Sequence, residues 1–217
     1  MFWIDHVIIA VEDLERAANE ARAAFGWGTL PGGRHPGGTS NKAIPLGGEQ
    51  YLEFLTVDEA TDQTTADIAT RLEAGPYLFN WAVVADDFDS FVNDLGLSFE
   101  EGSITAADGT TGTWRSANVD HPLAPSGALP FILDYGRSRA TTWAERYRNA
   151  AHQPDRAPRG IAWIEIGVGN EPLPDWLEQT EFDLRVTNAA PGVQAVGIRT
   201  EGGETVEIRT WPPTSTI

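Results

Sequence analysis

One string, met twice, governs what this chain can fold into. Asn80-Trp81-Ala82-Val83-Val84-Ala85-Asp86-Asp87-Phe88 repeats the pattern of His6-Val7-Ile8-Ile9-Ala10-Val11-Glu12-Asp13-Leu14, an apolar run that meets acidic residues and then a helical stretch. Phe2 to Val11 alternates and is rich in Ile and Val, which predicts a strand. Glu12-Asp13-Leu14-Glu15 opens a helix to about Phe25, with Asp13 as its cap, because negative charge and a short polar acceptor suit a helix N-terminus. A glycine-rich passage from Gly26 to Gly38 follows, then strands over 40–46 and 50–57 around Gly47-Gly48. The second copy has a helix to about Leu95 and strands over 97–105, 111–117 and 129–135, with a turn at Gly109. The expectation is an α+β chain of repeated βαβββ modules, 1–57 and 77–136, joined by a partly helical connector, 58–76, and forming one curled mixed sheet around a cavity.

The remainder carries a third, looser copy. Residues 137–159 read as a helix containing Trp143, Arg146 and Tyr147, followed by a proline-rich linker. Residues 160–217 then give a strand over 160–168, a short helix over 174–179, and strands over 181–186, 193–199 and 205–210 around Gly202-Gly203. Two copies close a unit, so an odd third packs beside it or pairs with a partner chain; a homodimer is the expected assembly.

Charge and composition exclude several functions. Thirty-two Asp+Glu against 15 Lys+Arg give a formal charge of −17, which repels phosphate backbones and anionic bilayers, so neither nucleic acid nor membrane is an expected partner. There are no cysteines, hence no disulfides, thiolate metal sites or cysteine nucleophile. No apolar run reaches the length of a membrane span and the N-terminal residues lack a signal-peptide pattern, which predicts a soluble, acidic, cytoplasmic protein. The nucleophile elbow G-x-S-x-G, the zinc-protease motif H-E-x-x-H and the nucleotide loop G-x-x-x-x-G-K-[ST] are all missing, so no nucleotide cofactor is expected.

Ile4-Asp5-His6-Val7-Ile8-Ile9-Ala10-Val11-Glu12-Asp13-Leu14, Gly33-Arg34-His35-Pro36-Gly37-Gly38-Thr39-Ser40-Asn41, Tyr51-Leu52-Glu53-Phe54 and Leu129-Pro130-Phe131-Ile132, in that order on a duplicated pattern, resemble the glyoxalase-like domain family of the vicinal oxygen chelate superfamily. The match spans residues 1 to about 136. The resemblance implies paired modules around a cavity, ligands pointing inward from the first and fourth strands of each module, and one divalent metal, of the Zn, Mn, Fe or Ni kind, binding adjacent oxygens of a small substrate. It implies lyase, isomerase or ring-opening dioxygenase chemistry; the alternative is a non-catalytic protein that sequesters a small molecule, as in antibiotic resistance.

Side-chain parity tests these positions, since strand residues two apart share a face. Phe2, Ile4, His6 and Ile8 fall together on the first strand, and Tyr51, Glu53 and Leu55 on the fourth. His6 and Glu53 are the catalytic and metal-binding candidates; a neutral imidazole with a carboxylate suits a borderline metal. Without a metal the same dyad can take a proton from carbon next to a carbonyl, and a buried polar pair that merely fixes the barrel is the plain reading. The second module departs from the pattern, with Asn80 in register with His6 and Ile132 near the register of Glu53, Asp134 being two residues further on. His35, Asn41, Tyr51, Asn80 and Arg115 are the substrate-binding candidates. Turn capping is the competing account of Asn41, and an edge salt bridge that of Arg115. Trp3, Trp81 and Trp163 read as core.

Overall fold

A computed structural model describes residues 2–136, 142–178 and 180–213. The first module consists of β1 (Phe2–Ala10), α1 (Leu14–Phe25), β2 (Leu30–Arg34), β3 (Thr39–Pro45) and β4 (Tyr51–Val57). Helix α1 starts where its cap says it must: the Asp13 carboxylate accepts the Glu15 and Arg16 amides at 2.8 and 2.9 Å. It stops at Gly26, whose φ of 73° an L-residue adopts at a cost. The glycine-rich passage is not all loop. It holds β2, whose Gly33 lies so close to the Thr105 carbonyl that a Cβ there would sit 2.4 Å from the oxygen.

The connector forms α2 (Gln63–Leu72), capped by Asp62. The second module follows as β5 (Tyr77–Ala85), α3 (Phe88–Asp94), β6 (Phe99–Ala106), β7 (Thr111–Ala117) and β8 (Phe131–Asp134). The eight strands close into a barrel in the order β1-β4-β3-β2-β6-β7-β8-β5. Its two seams differ. β1 and β5 run antiparallel along nearly their whole length, whereas β2 meets β6 only at Gly33↔Ala106 and Arg34↔Thr105.

After α4 (Thr142–Asn149), the strands β9 (Pro158–Gly167), β10 (Asp183–Thr187), β11 (Gly192–Thr200) and β12 (Thr205–Ile208), with the short helix α5 (Asp175–Glu178) between β9 and β10, make a separate sheet in the order β10-β9-β11-β12. The chain order matches the first two modules, but the pairing does not, because β9 lies between β10 and β11. This sheet packs on the outer face of the barrel. Ile4, Val7, Trp81 and Val83 share one apolar core with Ile161, Ile166, Val196 and Ile198, and Phe2 meets the rings of Trp176 and Phe182 at 5.2 and 6.0 Å. Gln50 clamps the two sheets, donating to the Ile4 carbonyl at 3.0 Å and accepting the Ile161 amide at 2.8 Å. The linker is fastened to the end of α1: Gly28 donates to His152 Nδ1 at 3.1 Å and Gln153 to the Gly26 carbonyl at 2.9 Å.

Candidate active site

The site begins with a fault in a strand. Across β1 and β5, Ile4 pairs with Val83 and His6 with Ala82, so Asp5 is an extra residue, a β-bulge. A bulge breaks the alternation of faces. Ile4, Val7 and Ile9 point to the outer core, while Asp5 and His6, consecutive in sequence, bond to one another inside the barrel. This corrects the parity expected for Phe2 and Ile4, which face the outer core; Trp3 instead joins an inner cluster with Ala82, Val84 and Leu133. Beyond the bulge the expected parity stands, and His6 and Ile8 line the cavity together with Tyr51, Glu53 and Leu55 of β4.

The cavity has a volume of about 840 Å³. On its first-module side His6 is 3% and Glu53 6% exposed. His6 Nδ1 is 2.7 Å from the Asp5 carboxylate, and its Nε2 faces Glu53 Oε2 at 4.0 Å. The Tyr51 ring stacks on the imidazole, centroids 4.4 Å apart and planes 20° from parallel. Tyr135 donates to Asp5 at 2.9 Å and lies 3.2 Å from the Tyr51 hydroxyl. Burial pushes the His6 pKa down to about 4 against the opposing pull of Glu53, so the ring is neutral near pH 7. Burial also holds Tyr51 and Tyr135 well above the ordinary phenol range, which keeps both as hydroxyl donors. At the rim, His35 Nδ1 is 2.8 Å from Thr39 Oγ1 and its ring meets Trp114 edge-on at 5.9 Å. Its pKa is lowered by burial, with Glu53 opposing.

The opposite wall, from the second module, is mixed: Ile104, Trp114, Phe131 and Leu133 give it an apolar patch, and Asp108, Thr110, Thr111 and Thr113 lie beside them. A second bulge, at Phe79 on β5, mirrors the one at Asp5 and places Asn80 in the position His6 holds in the first module. From these bulges the register runs Ile8↔Glu53 in one module and Ala82↔Phe131 in the other. The counterpart of Glu53 is therefore Phe131. Ile132 has the opposite parity and lies fully buried in the outer core. Asn80 turns its carbonyl oxygen back to the Trp81 amide at 2.8 Å and does not line the cavity.

The residues present do not fit a chelated metal. His6 and Glu53 offer two ligands where a catalytic metal is ordinarily held by three protein side chains, and their counterparts are an amide already bonded to the main chain and a phenyl ring. Among the described residues no group of three ligating side chains comes together.

Of the substrate-binding candidates, the structure brings His35, Asn41 and Tyr51 around the same cavity as His6 and Glu53. Asn41 Oδ1 is occupied by the Gly33 amide at 3.0 Å, across an irregularity in the β2–β3 pairing. Arg115 lies elsewhere. On the outer surface it binds Asp134 at 2.6 Å and Asp89 at 2.6 Å and covers the Phe88 ring at 4.6 Å, so its guanidinium ties α3 to the sheet. Asp5, Trp114, Tyr135 and Arg146 of the site escaped the sequence reading. Tyr135 had a signal, the alternation Phe131, Leu133, Tyr135. Asp5 had none, because strict alternation turns it away from the cavity.

Comparison with known proteins identifies the family and the fold. A family model described as a glyoxalase-like domain matches residues 4–181. Among solved structures, a hypothetical protein from Staphylococcus aureus aligns with a TM-score of 0.64 at 14% identity, over 96% of this chain and 86% of that one. Methylmalonyl-CoA epimerase from Mycobacterium tuberculosis aligns with a TM-score of 0.44 at 19% identity, over 60% of this chain and 84% of its own. No curated protein matches.

Proposed function

The chain belongs to the glyoxalase-like domain family, and from that premise we propose that its cavity binds a small, partly apolar carbonyl compound from which His6 takes a proton. One observation carries this reading: a neutral, buried imidazole nitrogen and a carboxylate oxygen lie 4.0 Å apart on one wall of a cavity that also holds an apolar patch. Two acceptors this close repel unless a donor group or an acidic C–H of a ligand bridges them from the cavity side. Ile104, Trp114, Phe131 and Leu133 would take the ligand's apolar part. The chemistry is proton transfer next to a carbonyl, as an isomerase or lyase requires, without a metal step. A sequestering role is the second reading, favoured by the second module, where an amide bonded to the main chain, Asn80, and a phenyl ring, Phe131, stand at the positions of His6 and Glu53.

The test is exchange of α-hydrogens into D2O for a panel of ketones, dicarbonyls and esters, followed by proton NMR with protein dialysed against EDTA. At least one compound is expected to exchange, with His6→Ala slower by about 100-fold or more, the usual weight of a general base. Exchange no faster with wild type than with His6→Ala overturns the catalytic reading. Tight binding without exchange establishes sequestration, and exchange abolished by EDTA and restored by a divalent metal sinks the metal-free chemistry.

A further inference from the structure

Asp5 has the features of a group placed for a purpose. It is completely buried, it enters the barrel only because of a bulge, and it bonds to the imidazole that the proposed chemistry uses. A neutral imidazole carries one hydrogen, and two carboxylates compete for it: Asp5 at 2.7 Å from Nδ1 and Glu53 at 4.0 Å from Nε2. Only the first distance lies within hydrogen-bond range. Tyr135 donates its single hydroxyl hydrogen to the same Asp5 oxygen, so the Tyr51 hydroxyl, 3.2 Å away, is the donor in the pair it forms with Tyr135. The chain of donors thus runs from Tyr51 through Tyr135 to Asp5, where the ring hydrogen also ends. Tyr135, just past the end of β8, is the second module's polar contribution to this centre.

We infer that Asp5, aimed by Tyr135 and Tyr51, is a positioning residue that fixes the His6 hydrogen on Nδ1 and so presents the Nε2 lone pair to the cavity opposite Glu53. A carboxylate behind an imidazole fixes both its rotation and its tautomer. With the hydrogen on Nε2 instead, His6 would donate toward Glu53 and have no lone pair for a ligand. The inference rests on the reading of His6 as a base only for its catalytic consequence; the tautomer itself is read without any ligand.

The experiment is 15N NMR of the imidazole nitrogens in the ligand-free full chain at pH 7, dialysed against EDTA so that a bound metal cannot mimic the pattern. The wild type is expected to show a pyrrole-type Nδ1 and a pyridine-type Nε2 for His6. In Asp5→Ala the hydrogen moves to Nε2, in Tyr135→Phe both tautomers appear, and Glu53→Gln keeps the wild-type pattern. A wild-type ring with its hydrogen on Nε2 overturns the inference. So does an unchanged pattern in Asp5→Ala, or in Tyr135→Phe should the first variant not fold. A shift in Glu53→Gln also overturns it, since Glu53 would then be the group that holds the ring. Failure of the α-hydrogen exchange with the tautomer intact would instead remove the proposed reaction and leave the positioning role standing.

Discussion

At the scale of the residue, His6 shows how burial sets chemistry. Desolvation outweighs the attraction of Glu53, and the folded-state pKa falls from 6.5 to about 4. Unfolded, the ring takes up a proton near 6.5; folded, it resists until about 4. Between those values the unfolded state binds more protons, so stability drops as the pH falls through this window, by about 3 kcal/mol over the whole of it. Below about pH 4 both states carry the proton and the contribution levels off. His6→Phe keeps a ring against Tyr51 but has nothing to titrate. Urea denaturation at pH 7 and at pH 4.5 should therefore show a larger loss in the wild type than in His6→Phe; equal losses would mean that His6 is not buried neutral.

At the scale of the element, the decisive features are irregularities in strands. The bulges at Asp5 and Phe79 each place two consecutive residues out of alternation, and the first of them makes the site. The β2–β6 seam is the other. Two residue pairs close the barrel there, and Gly33 permits the approach, since its Cβ would meet the Thr105 carbonyl oxygen at 2.4 Å and Ile104 at 2.7 Å. Gly33→Ala must push the strands apart and is expected to cost about 1–3 kcal/mol, the usual cost of overpacking. Gly37→Ala, four residues on, meets nothing within 4 Å and should change stability by no more than about 0.5 kcal/mol. Equilibrium denaturation of both variants checks the pair, and equal effects would show that the seam is not tight. Nothing in the spacing of Gly32-Gly33 distinguishes a strand from a loop, which explains why β2 was illegible: its glycines carry no alternating side chains to read.

At the scale of the whole molecule, one apolar core spans the barrel and the third sheet. The outer face of β1 and β5 is covered by this chain itself. A chain ending at Gly136 would leave Ile4, Val7, Trp81 and Val83 in water, and apolar area at roughly 25 cal/mol per Å² is the main term holding such folds together. That shortened chain should bind a hydrophobic dye and lose cooperative thermal unfolding, while the full chain unfolds in a single transition; a cooperative, dye-free fragment would show that the third sheet is an accessory. The sequence by itself determined the elements that rest on local chemistry. Alternation marked β1, strand-forming runs between turn residues marked β4, β7 and β9, Asp13 and Gly26 bounded α1, and the recurrence of one string gave the duplicated α+β architecture. Parity also brought His6, Tyr51 and Glu53 to one face, because two-residue periodicity is a property of the strand alone. Tertiary structure decided the rest. Whether Asp5 reaches the His6 ring depends on a bulge that exists only when β1 and β5 are paired. Arg115 is captured by Asp89 and Asp134 only once α3 lies on the sheet, and the neutrality of His6 comes from neighbours distant in sequence that remove water from around it.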